Sequence, residues 1–211
     1  MTSYLTIARN AQAEIDVKRS RFLCTLSRVH DEAAARALVE RLRKEHWDAR
    51  HHCSAFVLGP PPRQVERSSD DGEPAGTAGA PMLDVLRGRE VSDVAAVVTR
   101  WFGGTLLGTG GLARAYADAV RAALEVAGTL RRTLVREHLL TLDHTVAGHI
   151  EGELRARGTT VLGVSYGAQV ELRLGVPVGA DAKLAGLVAE LTGGAAETAV
   201  IGERWVDSLG P

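Results

Sequence analysis

Residues 69–117 of the chain read SDDGEPAGTAGAPMLDVLRGREVSDVAAVVTRWFGGTLLGTGGLARAYA. An acidic, glycine-rich loop runs towards an apolar strand, and a second glycine loop opens directly into a helix. The run VAAVV at 94–98 is apolar at every position. A half-exposed strand would alternate, so this one is expected in the middle of a sheet with both faces covered. The next helix places Leu112, Ala115, Tyr116, Ala119 and Ala123 on one stripe, the spacing of a helix packed on such a sheet. The two loops hold Gly72, Gly76, Gly79, Gly103, Gly104, Gly108, Gly110 and Gly111. Glycine costs conformational entropy, so the clustering points to positive-φ turns or to a ligand approaching bare backbone.

Upstream, residues 21–29 (RFLCTLSRV) predict a strand. Asp31 is a helix N-cap, and Ala35, Leu38, Val39 and Leu42 follow at helical spacing, with Arg43, Lys44 and His46 in the last turn. Residues 52–58 (HCSAFVL) predict a second strand, ended by Gly59 and three prolines. A loop of about twenty residues is then expected, long enough to be functional or mobile. A short helix near 81–87 leads into the strand at 94–102. Downstream, strands are expected at 134–142, 159–166, 169–176 and 196–206. One helix is capped by Thr145 and carries Val146, Ile150 and Leu154; another starts near Asp181 with Leu184, Leu187, Val188 and Leu191. That order, β-α-β-β-α-β, is ferredoxin-like. Two domains are expected, 1–132 and 133–211, and the fold class is α+β.

Residues 1–132 carry 19 Lys and Arg against 16 Asp and Glu, whereas 133–211 carry 6 against 10. Neither half is strongly basic, so the charge of a general nucleic-acid coating protein is missing. Aromatic residues make up 4 % of the chain, which leaves few platforms for stacking bases. Two cysteines, Cys24 and Cys53, build no disulfide framework. The start, MTSYLTIARN, lacks the basic and apolar segments of a signal peptide, so a cytoplasmic protein with no membrane segment is expected.

The segment from Gly108 to Ala113 satisfies G-x-G-x-x-A, but five residues separate it from Phe102, and Glu125 still lies within the helix where a ribose-binding acid should lie beyond it. Thr109 stands where a P-loop lysine would be needed. What remains is an anion site made by the amides at a helix N-terminus, with Arg114 in its first turn and Arg100 at the end of the preceding strand. The competing explanation is tight strand-to-helix packing. Asp70, Asp71 and Glu73 lack the spacing of a calcium loop; pairing of Asp71 or Glu73 with Arg100 or Arg114 would instead organise the two loops. His51 and His52 face opposite sides of one strand and are read as structural. No nucleophile elbow or cysteine–histidine pair frames Ser68, Ser69 or Thr77. No catalytic set, metal or cofactor is expected.

The residues DDGEPAGTAG at 70–79, RWFGG at 100–104, LGTGGL at 107–112 and Ala115-Tyr116 closely resemble the signature of the IMPACT/YigZ family. KRSRF at 18–22 and DARHHC at 48–53 fit its earlier blocks. The resemblance implies that 1–132 is an IMPACT-type domain with the left-handed βαβ arrangement of ribosomal-protein and translation-factor domains. It also implies that 133–211 is similar to the last domain of elongation factor G. Eukaryotic members regulate translation by competing for the activator of an amino-acid-starvation kinase. They do so with an additional N-terminal domain that this sequence does not show, so that role is not carried over.

The expected function is a non-enzymatic, translation-associated regulatory protein that binds RNA or a ribosomal surface. Lys18, Arg21, Arg50, Arg100, Gly103, Gly104, Gly108, Gly110, Gly111 and Arg114 would contact phosphates. Such contacts position a partner without reading its sequence. The alternatives are a nucleotide- or phosphate-binding protein or enzyme using the 103–111 loop, and a protein-interaction module whose acidic second half docks a basic partner.

Overall fold

The computed structural model describes residues 2–208, and the apolar run at 94–98 lies at the centre of a sheet. The first of two units, Ser3–Arg131, contains β1 (Ser3–Ile7), β2 (Ala11–Val17), β3 (Ser20–Arg28), α1 (Glu32–Glu45) and β4 (His51–Leu58). It continues with β5 (Val65–Ser69), α2 (Gly79–Gly88), β6 (Val94–Trp101) and α3 (Thr109–Ala127). The strand order β2-β3-β6-β4-β5 is antiparallel throughout. Because β3 and β4 both run against β6, they are parallel to each other across it, and α1 makes the crossover between them. Alternation along β6 then divides the core. Val94, Ala96 and Val98 pack with Phe22, Cys24 and Cys53 beneath α2 and α3. Ala95 and Val97 pack with Phe56 and Leu58 beneath Ala35, Leu38 and Leu42 of α1. Asp31 caps α1 by accepting a 2.7 Å hydrogen bond from the Ala34 amide.

Two expectations about this unit are corrected. The chain does not enter the sheet at residue 21 but as a hairpin, with Val17 paired to Ser20 and Lys18 and Arg19 at φ 46° and 69°. This is the left-handed two-residue turn that suits strand twist. Its first strand, AQAEIDV, escapes notice because alanine and charged residues are poor strand formers. Likewise the segment after the prolines is not one long loop. VERSS forms the edge strand β5, paired to β4 and tied to α2 by the Arg87–Glu66 ion pair.

The second unit, Arg132–Ser208, takes up most of β7 (Thr129–Leu142) and continues through α4 (His144–Ala156), β8 (Thr160–Tyr166) and β9 (Val170–Pro177). It ends with α5 (Asp181–Thr192) and β10 (Thr198–Ser208). β9 lies between β7 and β8, and β10 pairs with β7, giving a ferredoxin-like sheet. Leu140, Leu172 and Leu174 bury one face of it against Ile150 and Leu154 of α4 and Leu184 and Val188 of α5. Here the N-cap is Asp143 rather than Thr145, which falls inside the first turn. β7 starts five residues earlier than 134, because its first residues run beside β1, where Arg131 Nη1 donates to Ser3 Oγ at 3.0 Å. Among the described residues, no helix is long and apolar enough to cross a membrane.

Candidate functional site

The acidic loop between β5 and α2 sends its three carboxylates to three different places. Asp70 turns towards α2, whose N-cap residue Ala78 has no side chain able to cap. Its Oδ1 accepts from the amides of Ala78 (3.0 Å) and Gly79 (2.8 Å), and its Oδ2 from that of Gly76 (2.8 Å). Desolvation opposes ionisation of Asp70, but these amides outweigh it and hold the carboxyl below the usual carboxylate range. Asp70→Ala should therefore destabilise the first unit by about 2 kcal/mol, the upper range for a lost helix cap, read by thermal or urea unfolding. A depressed folded-state pKa means that this stability is present above the unfolded value, near ~3.9, and fades as pH falls through the lower folded one. The gap between wild type and Asp70→Ala should accordingly narrow below about pH 4.

Asp71 turns to the other side. It accepts from Arg43 Nη2 (2.5 Å) and from the His52 amide (2.6 Å), fastening the loop to α1 and β4. Glu73 turns inward, with 4 % of its side chain exposed, and meets Arg100, 6 % exposed, at 2.5 Å. Its Oε1 also accepts from Tyr116 Oη at 2.7 Å. So divided, the carboxylates do not converge on a cation. Among the described residues, no group of three or more His, Cys, Asp or Glu is arranged to hold a metal.

Arg100 is the centre of the arrangement. Facing positions across β6 bring Phe22 of β3 and His51 of β4 beside it. Its guanidinium lies 5.3 Å from the Phe22 ring and 5.6 Å from the Phe102 ring, and Nη2 reaches Ser20 Oγ at 3.4 Å. Nε is buried with no partner. Tyr116 meets Phe22 edge-on at 5.2 Å, and burial pushes its phenol pKa well up, so it remains a donor to Glu73. Cys53, pushed up to about 12 by burial, is likewise a neutral thiol, donating to the Asp70 carbonyl at 3.0 Å. It is no nucleophile in this state.

His51 links this cluster to solvent. Its Nδ1 lies 2.8 Å from the Asp71 carbonyl oxygen, and a carbonyl only accepts, so Nδ1 carries a proton. Nε2 lies on the other side, 4.0 Å from Glu73 Oε1. Beyond it opens a cleft of about 470 Å³ lined by Arg50, His51, Glu73, Arg100, Phe102, Leu106, Gly108 and Thr109, among others. Gly108 is the N-cap of α3 and supplies no capping side chain, so the first amides of a 19-residue helix begin at the cleft. They form the positive end of the helix dipole. Phe102 is 39 % exposed and Leu106 83 % exposed, giving the opening an apolar wall.

The expected phosphate contacts separate into groups. Arg50, Arg100 and Gly108 line the cleft, and Gly110 and Gly111 occupy the first turn of α3. Arg114, farther along the same helix, is exposed and is not among the lining residues. Gly103 and Gly104 shape the loop: the Gly103 amide is already engaged by Ser20 Oγ at 3.2 Å, and Gly104 sits at φ 82°. Lys18 is exposed at the hairpin turn, whose next residue, Arg19, backs onto Gly103. Arg21 is not brought to the cleft. As the neighbour of Phe22 it points to the opposite sheet face, where it covers the Trp101 ring at 3.7 Å and pairs with Glu14 at 3.7 Å.

His51, Phe102, Leu106 and Tyr116 join the site without having been singled out for it. A single tyrosine within a stripe of alanine and leucine was the one sequence signal available, since a buried phenol normally finds a partner.

Comparison with known proteins agrees with the signature blocks. The model of the Impact N-terminal domain matches residues 18–124, and one described as a domain of unknown function (DUF1949) matches 140–195. The chain is 44 % identical over 169 residues to the IMPACT family member YvyE of Bacillus subtilis (strain 168), covering 80 % of this chain and 77 % of that protein. It is 40 % identical over 204 residues to the IMPACT family member YigZ of Escherichia coli (strain K12), covering 96 % and 100 %. A crystal structure described as that of a hypothetical protein superposes with a TM-score of 0.66 at 40 % identity, covering 95 % of this chain and 98 % of the other.

Proposed function

The chain belongs to the IMPACT family, and from that premise we propose that it is a non-enzymatic, translation-associated regulatory protein that binds RNA through its first unit. The observation that carries this reading is the uncapped start of α3 opening into a cleft beside Arg50 and the buried Arg100. Helix-terminal amides and arginines together suit a phosphate group. Arg100 adds a second support that is independent of the helix: a guanidinium more than nine-tenths buried, lining the cleft, with Nε unpartnered. The ribosomal-protein and translation-factor likeness that the family resemblance implies for the first unit favours RNA or a ribosomal surface as the source of that phosphate.

Co-sedimentation of the full-length chain with ribosomes over a salt series tests the reading. Binding should weaken linearly on a log–log scale, with a slope of about −0.7 to −0.9 per phosphate neutralised. Arg50→Ala should reduce affinity and flatten that slope by about one contact. No binding at low salt, or a slope untouched by Arg50→Ala, would sink it. The size of the cleft, about 470 Å³, favours a second reading, a free nucleotide. That reading predicts a rise in melting temperature when nucleotide exceeds its dissociation constant.

A further inference from the structure

The cleft carries more than phosphate-binding groups. A pocket meant for phosphate alone would be lined by donors, and part of this lining is: the α3 amides and Arg50. His51 and Glu73 line it too, Glu73 held against the Arg100 guanidinium that it pairs. His51 Nδ1–H donates to the Asp71 carbonyl, and in the tautomer with that single ring proton Nε2 presents a lone pair. The Glu73 carboxylate lies 4.0 Å from it. An ionised phosphate oxygen placed there would meet an acceptor and a negative charge, whereas a hydroxyl would donate to Nε2 and suffer neither. Phe102 and Leu106 supply an apolar wall against which a flat ring can rest.

We propose that this cleft holds one ribonucleotide unit, its phosphate at the start of α3 and a ribose hydroxyl donating to His51 Nε2, so that the protein distinguishes RNA from DNA at this point. The inference rests on the RNA-phosphate reading above and adds the sugar to it. About 470 Å³ lies within the range of small-ligand pockets, and the 2′-hydroxyl is the group by which proteins tell the two nucleic acids apart. His51 is here a specificity residue, with no bond made or broken.

The test measures the affinity of the full-length chain for a fluorescently labelled uridine decamer and for its deoxyuridine counterpart at low salt. Uridine monophosphate serves as competitor. The RNA should bind about tenfold more tightly, the scale of one hydrogen bond to a group left unpaired by the analogue. His51→Ala should remove that preference by weakening RNA binding alone; unchanged DNA binding also reports that the variant is folded. His51→Gln, whose side-chain oxygen is again an acceptor, should restore part of it. Equal binding of RNA and DNA by the wild type overturns the proposal and leaves the phosphate reading standing. Binding of neither overturns both. A preference that survives His51→Ala overturns the assignment to His51. Displacement of the decamer by uridine monophosphate at equal concentration supports the ribose contact and moves its source from a strand to a free nucleotide.

Discussion

Glu73→Ala is expected to lower the stability of the first unit by about 3–5 kcal/mol, the usual cost of breaking a buried ion pair by removing one partner. Arg100 would keep its charge in a site where 6 % of its side chain is exposed, left with a 3.4 Å contact to Ser20 and the Phe22 and Phe102 rings but no anion. Tyr116 would lose its acceptor at the same time. At roughly 4 °C per kcal/mol for a domain of this size, the melting temperature should fall by about 12–20 °C. Removing both charges should do less harm than removing one. In the double variant Glu73→Leu with Arg100→Met nothing charged is left buried, and apolar replacement of a buried pair is often close to neutral. Unfolding curves of the two single variants and the double test this directly. Additive losses would show that the pair is not coupled as its geometry requires.

Gly103→Ala should cost about 3 kcal/mol, the upper end of what overpacking brings. A Cβ built at Gly103 would lie 2.0 Å from both the carbonyl carbon and oxygen of Arg19. Those atoms belong to backbone in a tight hairpin turn, and no rotamer change can move them aside. Gly104→Ala is the control. It has nothing within 4 Å of its built Cβ, but sits at φ 82°, so its cost should be only the ~1–2 kcal/mol of a left-handed backbone. Equal losses at the two positions would mean that backbone conformation, rather than the contact with Arg19, sets the requirement for glycine at 103. Because the Gly103 amide also donates to Ser20 Oγ, the larger loss should extend to the hairpin, seen as faster amide exchange in β2 and β3.

The α+β class was legible wherever periodicity is strong. VAAVV reads as a strand covered on both faces, and Asp31 followed by an apolar 3.6-residue repeat reads as the start of a helix. The strands that composition concealed are edge strands. AQAEIDV and VERSS derive their strand character from pairing with β3 and β4, which supply hydrogen bonds that no local pattern announces.

The site was legible in part for a related reason. That glycine loops, an acidic run and arginines belonged to one region followed from their proximity in the sequence. Their partners did not, because each contact joins residues distant along the chain. Asp70, Asp71 and Glu73 are near neighbours yet reach α2, α1 with β4, and β6 with α3. Strand parity separated Arg21 from Arg100, although both were basic and near the same loop. The sequence by itself determined the strongly periodic elements and the family, since hydrophobic spacing and signature blocks are local properties. Only the tertiary structure decided which acid neutralises Arg100, which histidine nitrogen looks outward and where α3 begins, because burial and hydrogen-bond geometry exist only once the sheet has brought those strands together.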